Sequence, residues 1–232
     1  MGPEEDRRPE RADATRPGLV MRGLPYLRVG FPWVGLTVLA LLSLPGAPGS
    51  MARAWGRIHV NESDLAPGDV LFRRGRSLVS RAVLAVDGHG EYSHVGLVAL
   101  AAGRAWVLHA TPPEQPDIAG GVIAEPLALF LATDRASAAA VYRPRDRQAA
   151  RAAERVAWGY VRGHLRFDDD FDLVSSDRLY CTELVWKAYL SAGVDLEAGV
   201  PGPRGRYLLP GRLEESPQLE RFRVFQEEVG YP

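Results

Sequence analysis

The chain has 232 residues, 46% hydrophobic and 25% charged, with a formal net charge of −1. That composition describes one globular domain with something added to it. With no basic excess and no Lys/Arg block interleaved with aromatic residues, it argues against nucleic acid as a partner.

The addition is N-terminal. Residues 1–18 are charged and proline-rich without apolar periodicity, the pattern of a disordered segment. Behind Arg22 and Arg28 runs "VGFPWVGLTVLALLSLPGAPG", whose apolar core from Trp33 to Leu44 falls short of the about 20 residues a membrane span needs. A basic flank, a short apolar core, a Pro/Gly break and then small residues make a secretory signal. Ala52-Arg53-Ala54 offers an A-x-A cleavage site, and Met21 is an alternative start. The expected organisation is a disordered N-terminus plus signal over 1–54 and a folded domain over 55–232. The expected location is exported, in the periplasm or cell envelope. An uncleaved segment at 30–45 would instead anchor the domain to the membrane.

"LAPGDVLFRR" (65–74) reads as a turn at Pro67-Gly68 and a strand over 70–73. Residues 77–88 read as an amphipathic helix, with Ser77 at the N-cap, apolar residues at 78, 79, 82, 83 and 86, and Gly88 past its end. A β-hairpin is expected over 91–111, turning around Ala101–Arg104. "GGVIAEPLALFLA" gives a short strand and then a helix begun by Pro126, and 138–144 is a further strand ended by Pro144. The Ala-rich stretch 146–161 is a helix closed by Gly163. "RFDDDFDLVSSD" is an acidic loop. The segment around Cys181 is a helix to about Ser191, with Ser176 or Asp177 as its N-cap. The tail holds a Pro/Gly loop (200–211) and an alternating segment, "RFRVF". Strands and helices without regular βαβ alternation predict an α+β domain with an antiparallel sheet.

Cys181 is the only cysteine, so it has no internal disulfide partner, and a lone thiol is unusual in an exported protein. Thiol chemistry needs the thiolate, which a helix N-terminus and a nearby imidazolium both favour. Of the five histidines, His94 and His109 fall on the two strands of the expected hairpin. A two-residue loop at Ala101-Ala102 would set them directly opposite, with Cβ atoms about 5 Å apart. A four-residue loop over 101–104 would make them diagonal neighbours, at roughly 7–8 Å. Either way both leave one sheet face, whereas a three-residue loop would put them on opposite faces. A same-face pair suits a base and the group that orients it. His59, His89 and His164 lie in polar surroundings and read as solvated. Cys181, His94 and His109 also have the ligand chemistry of a zinc site, but no C-x-x-C or H-x-x-x-H pair accompanies them, and no cofactor is expected. Nor does the acidic loop 167–172 have the spacing of a recognised Ca²⁺ loop.

"PGDVLFRRG", "YSHVGLVAL", "WVLHATP" and "LYCTELVWKAY", in that order, resemble the circularly permuted NlpC-type papain-like superfamily. The match is nearest to its YiiX-like group, with lecithin:retinol acyltransferase a more distant relative. The resemblance spans about residues 65–195. It implies a permuted papain-like fold with the antiparallel sheet packed against the cysteine-bearing helix. It also implies Cys181 as nucleophile, His94 as general base and His109 as the third polar residue. The Cys181 backbone N–H is the default oxyanion donor, and Tyr92, two residues before His94, is a candidate second donor from the same sheet face. Glu183 and Asp69 are expected to support structure.

The implied activity is a cysteine hydrolase that opens an amide or ester through an acyl-enzyme. An exported enzyme of this kind would meet peptidoglycan peptides or lipid/acyl substrates, with membrane-surface association as a possibility. Two alternatives stand beside it: a lipid or amine acyltransferase using the same three residues, and a non-catalytic binding domain of the cell envelope. The acidic loop would favour cationic substrate groups or simply be a solvated connection.

Overall fold

A computed structural model describes residues 58–113, 120–203 and 205–226. The segment expected to be disordered, the signal and its cleavage site lie outside the described residues. No described helix is long and apolar enough to cross a membrane.

Among the described residues, eight strands and five α-helices follow in chain order. They are β1 (Val70–Gly75), α1 (Leu78–Asp87), β2 (His94–Ala101), β3 (Arg104–Thr111), β4 (Gly121–Pro126) and α2 (Leu127–Phe130). After these come β5 (Ala136–Pro144), α3 (Arg147–Arg162), β6 (Arg166–Phe167), β7 (Arg178–Leu179), α4 (Cys181–Ser191), α5 (Pro210–Glu214) and β8 (Leu219–Gln226). The strands form one sheet in the order β7-β6-β4-β3-β2-β1-β5-β8. Every pairing is antiparallel except the short β6–β7 pair. This is the α+β domain with an antiparallel sheet expected from the sequence.

The sheet is apolar on both faces. Val70, Phe72, Val95, Leu97, Ala99, Leu108 and Ala110 belong to one buried cluster with α3 and α4. Leu71, Val98, Ala105 and Val107, one residue out of phase, belong to a second cluster with Leu127 and Phe130 of α2. Alternation along each strand therefore sorts side chains between two cores. Helix α3 presents Ala149, Ala150, Ala153 and Ala157 to the sheet, small residues that permit close approach. The approach is tightest at Gly68, where a Cβ would stand 2.2 Å from the Ala150 carbonyl oxygen. With φ of +80° as well, only glycine fits this turn.

The hairpin turns through Ala102-Gly103, both at positive φ, the geometry of a type I′ turn. Its last pair is Ala101↔Arg104. That register is the one expected for a loop over 101–104, so 94 and 109 are diagonal neighbours. Helix α1 forms where the sequence predicts it, capped by the Ser77 hydroxyl and by Gly88 in the left-handed conformation. Its apolar stripe is not core, however: Leu78, Val79 and Val86 are 79, 63 and 69% exposed. The acidic loop opens on β6 and is followed at once by β7, neither of which its composition signalled.

Asp69 sits in the first turn as a buried anion. Its carboxylate accepts from the Ala66 N–H at 2.9 Å, Arg143 Nη2 at 2.9 Å and Arg147 Nη1 at 2.8 Å. Removing one partner of a buried pair strands the others. Asp69→Ala is expected to destabilise the domain by about 3 kcal/mol, measured as a lowered denaturation midpoint with an unchanged m-value. A change within about 0.5 kcal/mol, the usual range for surface substitutions, would contradict this role.

Candidate active site

Helix α4 begins at Cys181 itself. Tyr180 is the N-cap and β7 occupies 178–179, so neither Ser176 nor Asp177 caps it: the residues between extend into the sheet instead. Several side chains tie this helix end down. The Tyr180 N–H donates to Glu183 Oε2 at 3.3 Å, and its hydroxyl accepts from the Leu208 N–H at 2.9 Å. The Thr182 hydroxyl donates to the Leu208 carbonyl at 2.5 Å. Lys187 bridges Glu183 Oε1 at 2.6 Å and the Ser175 carbonyl at 2.5 Å. Burial pushes the Glu183 carboxyl up to about 7, against the lowering effect of Lys187. Leu184, Val185, Ala188 and Tyr189 are fully buried on the sheet side, each large apolar side chain contributing about 1.5–3 kcal/mol. The Tyr189 hydroxyl donates to the Gly68 carbonyl. The first turn of α4 is thereby held in place.

Opposite it the sheet divides. β2 and β3 pair from Ala101↔Arg104 to Leu97↔Leu108 and no further, whereas β3 continues along β4 to Thr111↔Gly121. The Val98 N–H bonds to Asp69 on the β1 side. By the alternation of an antiparallel ladder the Val95 N–H therefore points into the fork. That N–H and those of Thr182 and Cys181 itself lie near enough to the Cys181 thiol to favour its thiolate. The thiol thus lies beside the residue that follows His94.

The two imidazoles meet at the same fork. His94 Nε2 and His109 Nδ1 are 2.9 Å apart, with the rings at 89° to one another. Diagonal neighbours reach this far because Gly96 stands between them. A Cβ at Gly96 would lie 2.6 Å from Val107 Cγ1, 2.9 Å from the Leu108 carbonyl oxygen and 3.0 Å from His109 Cβ. Phe130 backs both rings, with centroids 5.6 Å from His94 and 5.1 Å from His109. Arg73, the β1 partner of His94, lies 4.4 Å above the Phe130 ring and donates to its carbonyl at 2.8 Å. Beyond His109, its Nε2 faces Glu125 Oε2 at 3.4 Å, and Glu125 Oε1 accepts from Arg135 Nη1 at 2.6 Å.

Burial dominates the electrostatics. It pushes the Cys181 thiol above its ordinary range, and the three N–H groups and the Arg73 charge offset this only in part. The helix N-terminus does favour the thiolate, as expected from the sequence, but by less than desolvation opposes it. Burial, then Arg73, then His109 hold the His94 imidazole well below its ordinary range. The resting pair is therefore neutral: thiol and imidazole rather than thiolate and imidazolium.

Tyr92 departs from expectation. The chain bends at Ser93, whose hydroxyl accepts from the Gly75 N–H at 2.9 Å, so Tyr92 does not share the face of His94. It is buried in the helix-side core against Phe72, ring centroids 5.8 Å apart. Burial pushes its hydroxyl up to about 12, and the charges that reach it come from Arg221, Glu91 and Glu214, none of them at the fork. Tyr92 is thus a core residue that does not stand beside His94. His59, His89 and His164 are exposed, as expected. Among the described residues the one convergence of three or more potential metal ligands is Asp168, Asp170 and Asp172, with oxygens within 4.8 Å of one another. Arg178 Nη1 lies 2.9 Å from Asp170 and 3.8 Å from Asp168.

Arg73, Gly96, Phe130 and Glu125 were not singled out from the sequence. Glu125 carried a faint signal, a charge inside the apolar "VIAEPLALF". Arg73 and Phe130 had none, since only the sheet brings them to the histidines.

The family model described as permuted papain-like amidase enzyme, YaeF/YiiX, C92 family, matches residues 64–199. A crystal structure described as that of metalloprotein yiiX from Escherichia coli O157:H7 superposes with a TM-score of 0.52 at 21% identity, covering 70% of this chain and 97% of that one. Its likeness is one of fold. No match was found among curated proteins.

Two measurements check this electrostatic picture. Because burial raises the thiol, its thiolate fraction at pH 7 is below that of a free cysteine. Iodoacetamide should label Cys181 slowly there and faster only above about pH 8.5; rapid labelling at pH 6 would contradict it. Because the folded chain holds His94 below its unfolded value of about 6.5, the unfolded chain takes the proton first. That stability is present above pH 6.5 and is lost as the pH falls below it. His94→Gln should flatten this acid slope of the unfolding free energy.

Proposed function

The chain belongs to the permuted papain-like amidases of the YaeF/YiiX, C92 family and is a cysteine hydrolase of amide bonds; we propose that Cys181 is its nucleophile, His94 its base and His109 the partner that orients the base. The observation that supports this reading is the 2.9 Å contact of His94 with His109 at the open end of the β2–β3 ladder, next to Val95, whose backbone N–H favours the Cys181 thiolate.

His94 has two ring nitrogens, and Nε2 is engaged by His109. Nδ1 is the one left to take the thiol proton. As it does, the sulfur adds to the substrate carbonyl, and the oxygen's charge develops against the Cys181 N–H at the start of α4. The His94 imidazolium then gives its proton to the departing amine, which leaves an acyl-enzyme. Water attacks that thioester while His94 takes a proton from it. The carboxylic acid departs and the thiol re-forms. Starting from a neutral pair, the proton moves only as the C–S bond forms, so the site holds no standing ion pair that must be desolvated.

The finer reading is an exported enzyme of the periplasm or cell envelope acting on peptidoglycan peptides or on lipid/acyl groups. The signal pattern before Trp55 supports export, and the acidic loop at 167–172 supports a cationic substrate group such as the free amine of a diamino acid. A second reading, transfer of the acyl group to a lipid or amine acceptor at a membrane surface, is favoured by the bare apolar face of α1. That helix begins five residues beyond the last residue paired between β1 and β2, Arg73.

Cys181→Ala is expected to abolish turnover without loss of folding, and His94→Ala to lower kcat by about 10²–10⁴-fold. Intact-mass spectrometry after incubation with muropeptides and with phospholipid decides the substrate by which one leaves an acyl adduct on Cys181. Turnover persisting in Cys181→Ala would end the nucleophile assignment, and no turnover on any amide or ester would leave a binding domain. The acid limb of kcat/KM should lie below pH 6.5, since neutral His94 persists there.

A further inference from the structure

We infer that Glu125, braced by Arg135, is a positioning residue that sets the tautomers of both imidazoles. The inference rests on the reading of His94 as the base, and its starting point is location. Glu125 pairs with Val107, and His109 with Ile123, across β3 and β4. Glu125 and His109 are therefore diagonal neighbours on one face, the same relation that joins His109 to His94. Glu125 is only 6% exposed, in a strand whose neighbours on that face, Val107 and Ala105, are apolar. An acid in such a place is costly unless it is paired.

Its two oxygens divide the work. Oε1 is held by Arg135 at 2.6 Å, and Oε2 faces His109 Nε2 at 3.4 Å. Burial opposes ionisation of Glu125, but the facing His109 ring and then the charges of Arg135 and Arg73 hold it below the usual carboxylate range. At neutral pH it is a carboxylate, and a carboxylate only accepts. His109 must then carry its hydrogen on Nε2, so its Nδ1 is an acceptor. Across the 2.9 Å contact, His94 Nε2 has to be the donor. The lone pair of His94 is thereby left on Nδ1, the nitrogen that must receive the thiol proton. One buried charge determines which face of a ring two residues away is basic. The same negative charge favours the His94 imidazolium as it forms. The 3.4 Å separation is that of a resting site, and such contacts shorten when charge develops.

The test uses the full chain. Glu125→Gln keeps the shape but removes the charge, and its amide can also donate to His109 Nε2 and so enforce the wrong tautomer. The expected result is a fall in kcat of at least about ten-fold, smaller than the about 10⁴-fold loss seen when the orienting acid of a hydrolase triad becomes an amide. KM should stay within about two-fold, and the acid limb should move to lower pH, because losing a negative charge weakens the imidazole as a base. Glu125→Asp should recover part of kcat. Independently of any substrate, imidazole ¹⁵N shifts should report His109 protonated on Nε2 alone in the native chain, and a mixture in Glu125→Gln. The inference is overturned if His109 carries its hydrogen on Nδ1 in the native chain. A folded Glu125→Gln variant with native kcat and acid limb overturns it equally, leaving Glu125 as no more than the partner of Arg135. If Glu125→Gln does not fold, the native tautomer and Glu125→Asp decide. Turnover surviving in Cys181→Ala would refute the nucleophile assignment instead, and the tautomer measurement stands apart from that outcome.

Discussion

Everything at the site depends on the parting of β2 from β3 beyond the Leu97↔Leu108 pair. An intact ladder would spend the Val95 N–H on a β3 carbonyl, and the strands would stay closed over the place where α4 arrives. Once the ladder stops, that N–H is free to point at the Cys181 sulfur, and the imidazoles of two neighbouring strands close on each other at 2.9 Å. Gly96 is the local condition for that contact, because any side chain there would fill the space into which His109 leans. Behind the fork, Phe130 and Arg73 make a stacked wall. It excludes water from one side of the rings and adds a positive charge near both the thiol and His94.

That enclosure sets the chemical character of the pair. A helix start, three backbone N–H groups and a guanidinium all favour the thiolate, and in open solvent they would produce an ion pair. Here the loss of hydration exceeds their sum, so the thiol and His94 are both neutral at rest. The charges appear only with the substrate, when the developing oxyanion and imidazolium meet dipoles already fixed by the fold. On the far side of the rings, Glu125, Arg135 and Arg73 place compensating charges in a buried setting, where they act at short range and with little screening by solvent.

Helix α4 connects this chemistry to the rest of the domain. It is anchored at both the sheet and the tail: Tyr189 reaches the Gly68 turn, and Tyr180 and Thr182 hold the Leu208 backbone. The chain's one lysine, Lys187, is spent on Glu183 and the Ser175 carbonyl. It therefore serves the helix end rather than the reaction. The bare face of α1 is the opposite case, a properly capped helix whose apolar residues contribute nothing to either core.

The sequence by itself determined the elements and the face that the two histidines share. Apolar periodicity marked α1, α3 and α4, and Gly and Pro marked their ends. Period-two alternation allowed two same-face registers for the hairpin, and the real one was among them. It also supplied the lone cysteine and the order of motifs that identifies the family. It misjudged Tyr92, because a bend at Ser93 breaks the period that would have set Tyr92 beside His94. It misjudged the burial of α1, because an apolar stripe does not say whether anything covers it. Only the tertiary structure decided that β2 and β3 part and that Arg73 and Glu125 flank the rings. It also decided that burial keeps the thiol protonated. Each of these depends on which surfaces face one another across sequence separations of 15 to 108, from His94–His109 to Arg73–Cys181, and local pattern carries no information over such a distance.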